Sequence, residues 1–465
     1  MHRKWVLVMS VIFSKVHRKT ILLIICIIAA LLQGHITEKA AQARPSEPVI
    51  FERVFVEGIE LSGMTRREAE ATLSQYVNET VMQPLVLVSG DEVWLLDPKN
   101  IGLHIFVPEI VERALSIGRT GSWLDRLRFR RSAPDMINIP LTLSVDENLF
   151  RDFVFDLMAE IHIPAEDATF VINKDDTVTI TPSTIGRYLD PTGLGNLIKQ
   201  AVPKKYDRTI VLNVCPVMPS LSTEQADAMG IRQCISEFST SFDGGNKPRV
   251  HNIREAANVI DGTILAPGEA FSFNEIVGPR SADTGYLEAP VMVDRDLVPG
   301  IGGGICQVSS TLYNAVLLAN LTIVTRVHHS MAPGYIPAGR DATVAYDYID
   351  FKFRNDGPTH VLVKLSVTKN TITSKVYGNV PSNQEVSIVT SIDEKIQPGV
   401  IRKEDPALSP GEEVVEDDGA WGYVVTVYRV VKRGGVEQSR ELISRDRYHP
   451  RAKRVKVGIA SPKET

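Results

Sequence analysis

The chain has 465 residues, of which 43% are hydrophobic and 23% charged, with a formal net charge of −5 at pH 7. That length predicts about three domains, each large enough to bury a core, and the composition excludes a disordered chain. The acidic balance lacks the basic footprint of a nucleic-acid binder, so no nucleic acid is expected as a partner.

Arg3, Lys4, Lys15, Arg18 and Lys19 lead into the apolar run Ile21–Leu32, which is 12 residues long. A basic stretch before a short apolar run is the pattern of a secretory signal, whereas a spanning helix needs about 20 residues. Ala41-Gln42-Ala43 offers an A-x-A cleavage site, but it stands well beyond Leu32, and Trp5 to Phe13 adds an earlier apolar patch. Two expectations follow for residues 1–49: a cleaved signal peptide, or an anchor in the cytoplasmic membrane. Either places the body outside the cytoplasm, secreted or tethered at the cell wall. Cys26 follows Ile25 rather than a small residue, so no lipoprotein site is read.

Export gives the cysteines meaning. Cys215, Cys234 and Cys306 lie beyond the N-terminal segment. Cys215 and Cys234 are open to pairing, which sequence alone does not establish, and one thiol is left over.

Residues 44–52 read as a linker. Next comes an internal repeat, the kind of self-similarity sought before fold reasoning. Strands ending in Pro-x-x-Ile-Gly recur at 98–102 and 182–186, each followed by a helical stretch, 108–118 and 192–202. Leu85–Val88 and Thr169–Ile172 precede them and predict hairpins. Thr65 and Thr223 are read as helix N-caps. The expectation is two related α+β modules, 50–130 and 135–220. Trp94 and Trp123 could stack on sugars, but an aromatic in a strand is more often core. Arg119, Arg126, Arg128, Arg130 and Arg131 form a basic run, read as a solvated inter-repeat loop or a contact for anionic wall polymers.

The segment 221–378 predicts a mixed α+β domain. It contains a helix over Ile253 to Ile260 and strands at 264–274, Ala289 to Val293, Ile323 to His329, Ala342 to Tyr346 and Asp350 to Arg354, then a hairpin over 359–377. At its centre stands Gly302-Gly303-Gly304-Ile305-Cys306-Gln307. Val308, Leu312, Ala315, Val316 and Ala319 recur at helical spacing over 307–321, which puts Cys306 near a helix N-terminus, where a thiolate is favoured. A small buried residue closing a tight turn is the alternative.

A thiolate nucleophile needs a base and a group to orient it. His328 and His329 follow, and on a strand they would face opposite ways, so one at most reaches Cys306. His329 is preferred as base, with His328 as the alternative and Asp341 as orienter. Backbone N–H groups of Gly302, Gly303, Gly304 and Gln307 are candidates for an oxyanion hole. One cysteine beside two adjacent histidines lacks a zinc ligand frame, so no metal and no cofactor are expected. The tail over 380–458 is rich in short strands and glycine turns.

Gly268-Glu-Ala-Phe-Ser-Phe-Asn274, Gly278-Pro-Arg280, Gly302 to Ala315, His329-Ser330, Gly339-Arg-Asp-Ala-Thr343 and Asp350-Phe-Lys-Phe-Arg-Asn355 resemble the VanW domain. The preceding repeats resemble the peptidoglycan-binding domains found before VanW domains in exported Gram-positive proteins. The tail is similar to a G-five-like β-rich module. The resemblance implies a multidomain α+β protein: two related repeats, a VanW domain whose helix follows the Gly-rich loop, and a small all-β module. It also implies peptidoglycan stem peptides and glycan as partners. The activity it implies is L,D-transpeptidation, forming 3–3 cross-links through a thioester on Cys306. The His-Gly-Cys motif of the better-known enzymes of this activity is absent. The other readings are a hydrolase of the same bond, or a non-catalytic wall-binding protein linked to envelope maintenance or glycopeptide resistance.

Overall fold

The computed structural model describes residues 47–293 and 296–459. The apolar run and the A-x-A site lie outside the described residues. Among the described residues, no helix is long and apolar enough to cross a membrane. The chain divides into two compact units. One holds residues up to Pro164 together with Arg187–Val217, and the other holds Ala165–Gly186 together with Met218 onward.

In the first unit the helix Arg66–Tyr76 begins at Thr65, whose side chain and that of Glu68 close a reciprocal capping box. The expected hairpin forms between Leu85–Ser89 and Glu92–Leu96. Strand Thr209–Val211, from the second repeat, adds to it in parallel, with Thr209 opposite Val86. The two modules therefore share a sheet, and the division of the chain does not fall between them. The repeated Pro-x-x-Ile-Gly frame also takes two conformations. Pro98–Ile101 is a 3-10 turn closed by left-handed Gly102, whereas the second copy leads into strand Gly186–Leu189.

The basic run is not the loop that was expected. Trp123–Ser132 is a helix with a Ser122–Asp125 capping box and no buried residue, because a serine followed three residues later by an acid starts a helix even where no core face exists. Likewise the helix Thr223–Ala228 is capped by Ser222, through Gln225, and not by Thr223. Cys215 and Cys234 are free thiols, so the pairing left open by the sequence is not made.

The second unit carries the glycine run. Its central sheet is antiparallel, in the order Gln233–Ser241, Thr371–Gly378, Val361–Val367, Thr263–Leu265. Two helices pack on it, Lys247–Ile260 and Ile305–Leu318. The second, here the site helix, is buried from Gln307 to Leu317 without a solvent face, so its residues are enclosed on every side. A smaller sheet of Ala270–Ser272, Lys352–Arg354 and Thr322–Thr325 closes the core. There Phe271 stacks on Phe353 with ring centres 4.6 Å apart. The expected strands at 323–329 and 342–346 are shorter or absent. Thr322–Thr325 is the only strand formed there, and the chain on either side of His329 and Asp341 is irregular, because side chains of the site helix take up its backbone groups.

The last part of the unit is all β. Gln384–Ile396, Gly422–Arg433 and Val436–Tyr448 form one antiparallel sheet, and Lys453–Gly458 centres a mixed one, parallel to Val400–Asp405 and antiparallel to Glu413–Asp417.

Candidate active site

The hairpin Glu288–Val293 with Asp296–Ile301 delivers the chain to the glycine run. Gly303 has no room for a side chain: a Cβ there would stand 2.6 Å from the Pro290 carbonyl oxygen and 2.8 Å from that of Ala289. Gly304 caps the site helix at φ 111°, a left-handed conformation that side chains rarely adopt. This tight entry places Cys306 in the first turn of a buried helix. The Gly302 N–H donates to the Leu287 carbonyl, that of Ile305 to Gly302, and that of Gln307 to Gly304. Gly303, Gly304 and Cys306 make no such backbone bond among the described residues.

The Cys306 sulfur lies 3.5 Å from the Val344 carbonyl oxygen, and His329 is near enough that each group shifts the titration of the other. His329 Nδ1 lies 2.5 Å from Asp341 Oδ2, and the His329 backbone N–H donates to the same oxygen at 2.7 Å. A carboxylate can only accept, so Nδ1 carries the proton and Nε2 remains for the sulfur. Asp341 is wholly buried. Its other oxygen accepts from Tyr448 Oη at 2.5 Å and from Arg326 Nη2 at 3.2 Å.

The electrostatics follow from these contacts. Burial pushes the Cys306 thiol up, but the hydrogen bond and charge of His329 outweigh it, and the net shift is downward. Burial pushes His329 down, yet Asp341 and the sulfur together raise it to about 9. Burial likewise opposes the charge of Asp341, and His329, Arg326 and Tyr448 hold it at about 2. A thiolate beside an imidazolium, backed by a carboxylate, is the arrangement that makes a cysteine nucleophilic near neutral pH.

His328 stands elsewhere. Its Nδ1 lies 2.7 Å from the His329 carbonyl oxygen, and its ring meets Tyr448 edge-on at 5.1 Å. Gln307 is occupied as well: its amide nitrogen donates to Thr240 Oγ1 and the Ser241 carbonyl, and its amide oxygen accepts from Arg249 Nη2. Those are side-chain bonds; the backbone N–H expected in an oxyanion hole donates to the Gly304 carbonyl at 3.0 Å, while those of Gly303, Gly304 and Cys306 have no partner among the described residues.

Several residues of the site were not singled out from the sequence. Ser309 donates to the Ala342 carbonyl at 2.7 Å, Asn314 to the Arg340 carbonyl at 2.6 Å, and Ser310 accepts from the Ala342 N–H at 2.9 Å. These polar groups, buried in an otherwise apolar helix, fasten the Asp341 segment to the Cys306 helix. Their signal was the run Ser309-Ser310-Thr311 inside a hydrophobic period. Tyr335 donates to the Cys306 carbonyl at 3.1 Å. Arg326 bridges Asp341 and Asp446, the latter at 2.6 Å. Nothing local in the sequence joins Asp446 and Tyr448 to a site more than a hundred residues away.

Comparison with known proteins gives this layout its class. A peptidoglycan-binding domain model matches residues 94–211, a VanW like protein model 248–377 and a G5 domain model 388–460. The three together define a modular, cell-wall-associated protein. YoaR of Bacillus subtilis, an uncharacterised protein, is 35% identical over 234 residues, covering 49% of this chain and 73% of that protein. The chain belongs to the VanW family. Vancomycin B-type resistance protein VanW of Enterococcus faecalis is 31% identical over 151 residues, covering 31% of this chain and 55% of that protein. Among solved structures, the G5 domain of an IgA1 protease matches at 25% identity over 17% of this chain and 96% of that one, with a TM-score of 0.13. The G5 domain of HP0197 matches at 19% identity over 17% of this chain and all of that one, with a TM-score of 0.12.

Proposed function

We propose that this protein is a cysteine L,D-transpeptidase of peptidoglycan, with Cys306 as nucleophile, His329 as general base and acid, and Asp341 as orienter. The observation that carries the reading is buried Asp341, which holds both the ring and the backbone N–H of His329 beside Cys306. The Cys306 thiolate attacks the carbonyl carbon that joins the third stem residue to the terminal D-residue. The S–C bond forms as the C–N bond breaks, and His329 gives its proton to the departing amine. An acceptor amine then attacks the thioester, loses its proton to His329, and releases the thiolate. Tetrahedral negative charge meets the N–H groups of Gly303, Gly304 and Cys306 at the start of a helix whose dipole favours it. Gly302 shapes the approach. The N-terminal segment delivers the protein to the wall.

The test uses the full chain, tetrapeptide muropeptides and mass spectrometry. Wild type is expected to release the terminal residue and form 3–3 dimers, with a thioester adduct on Cys306 and no product from Cys306→Ala. Release without dimers would mean a hydrolase. If no adduct forms and alkylating reagents leave Cys306 untouched, the enzyme reading is lost and a wall-binding role stands.

A further inference from the structure

Arg280 has no ion-pair partner among the described residues. Its Nη1 donates to Asn274 Oδ1 at 2.8 Å and to the Gly278 carbonyl at 3.1 Å. Its guanidinium carbon lies 5.6 Å from the centre of the Phe273 ring and 5.7 Å from that of Tyr346. The group is thus fixed between two rings and two neutral acceptors. Its Nη2 is shielded from solvent and has no hydrogen-bond partner among the described residues. A Cβ on Gly302 would stand 3.5 Å from that of Arg280, which seats the arginine against the run that leads into Cys306. Burial works against its charge, and the first of the negative groups opposing that is the Cys306 thiolate.

The neighbouring arginines are satisfied. Arg326 pairs with Asp341 and Asp446, and Arg249 donates to Gln307. A buried guanidinium ordinarily meets a carboxylate through its fork; at Arg280 one arm of the fork is held and the other is open. A cleft of about 300 Å³ lies alongside, and Asn274 and Tyr346, the residues that hold Arg280, are part of its lining. Of its three carboxylates, Asp350 is engaged by Ser272 Oγ at 2.6 Å and by the Asn274 N–H at 2.9 Å, Glu275 lies 3.8 Å from Lys352, and Asp347 stands on the exposed rim.

We propose that Arg280 anchors the free α-carboxylate of the residue that follows the scissile bond, so that the site takes peptides with a C-terminal carboxylate and rejects their amides. This rests on Cys306 being the nucleophile. In such a peptide only the amide nitrogen and one carbon separate the attacked carbonyl from the carboxylate, so an anchor beside the thiolate is where the chemistry needs it. The donor class is a short peptide cut at its last residue, and the arginine leaves with neither product.

Two measurements on the full chain test this. In the first, iodoacetate and iodoacetamide compete for the thiols, with adducts at Cys306, Cys215 and Cys234 read separately by peptide mass spectrometry. The iodoacetate preference at Cys306 is expected to exceed that at Cys215, to fall roughly tenfold in Arg280→Gln, and to survive in part in Arg280→Lys. In the second, a tetrapeptide and its C-terminal amide are offered as donors. Wild type is expected to cleave only the acid, and Arg280→Gln to treat the two alike. An iodoacetate preference unchanged in both variants, or equal cleavage of acid and amide by wild type, overturns the proposal. So does an equal loss on both donors in Arg280→Gln, which would place the arginine on the oxyanion instead. If neither donor is cleaved and the iodoacetate preference still collapses, the transpeptidase reading fails and the anion site stands. If Arg280→Gln does not fold, Arg280→Lys and protection of wild-type Cys306 by N-acetyl-D-alanine, compared with its amide, decide: equal protection overturns the proposal.

Discussion

Tyr448 Oη stands 2.5 Å from Asp341 Oδ1, and both side chains are wholly buried. The tyrosine ends a strand of the G5-matched region, and the aspartate belongs to the VanW-matched region. The C-terminal region thus reaches the residue that orients His329. Tyr448 also accepts from the Gly339 N–H at 2.7 Å, so it ties down the segment that carries Asp341.

Tyr448→Phe should therefore cost more than an ordinary surface change. It leaves a buried carboxylate oxygen and a buried N–H short of a partner, which costs about 1–3 kcal/mol. Urea denaturation should show the loss. Alkylation of Cys306 should also slow as Asp341 loses a fixed position, and unchanged stability and alkylation would refute the role.

Arg326 neutralises two buried carboxylates, Asp341 and Asp446, and is itself nearly inaccessible. Removing one member of such a cluster leaves uncompensated charge, at about 3–5 kcal/mol. Arg326→Met is expected to lower the denaturation midpoint sharply. Arg53→Met, which loses only an exposed pair with Asp135, should shift it by a small fraction of that.

The pH dependence of Cys306 alkylation should depart from that of a free thiol. Cys306 is shifted down and His329 up to about 9, so the two titrate as a pair. His329 is raised above its ordinary 6.5. Its stabilising contribution is therefore complete below that value and is lost as pH rises through about 9. Reactivity at Cys306 should persist at pH values where an ordinary thiol is inert. Asp341→Asn should return the Cys306 profile toward that of an ordinary thiol.

The acid limb has the opposite sign. Asp341 falls from 3.8 to about 2, so its contribution is present above 3.8 and is lost as pH falls toward 2. Thermal midpoints measured between pH 5 and pH 2 (on the order of the range where such carboxylates protonate) should drop less steeply in Asp341→Asn than in wild type.

Gly303→Ala should disrupt the site from its backbone outward. The new methyl would meet the carbonyl oxygens of Pro290 and Ala289, which are backbone atoms that cannot rotate away. Overpacking of this kind costs about 1–3 kcal/mol, visible as a lower midpoint together with slower Cys306 alkylation. Gly262→Ala is the control for glycine strain without crowding, since only its positive φ opposes the change.

The sequence by itself determined the parts that depend on local chemistry. Three consecutive glycines admit a tight, positive-φ turn that side chains disfavour, and the apolar period after them predicts a helix. Those facts put Cys306 at a helix start before any fold was known. The pairing of His329 rather than His328 with Cys306 was decided only by tertiary structure. The chain there is irregular and not a strand, so residue alternation says nothing about which ring faces the sulfur. What chooses is Asp341, whose Oδ2 holds both the ring and the backbone of His329. Asp341 is held in turn by Arg326 and Tyr448, the latter 107 positions on. Likewise the Thr65 cap was read from the sequence as a helix start, whereas the parallel addition of Thr209–Val211 to the first repeat's hairpin was not. A cap is made by residues three apart. A buried charge network and a shared sheet are made by segments whose meeting depends on the whole core forming.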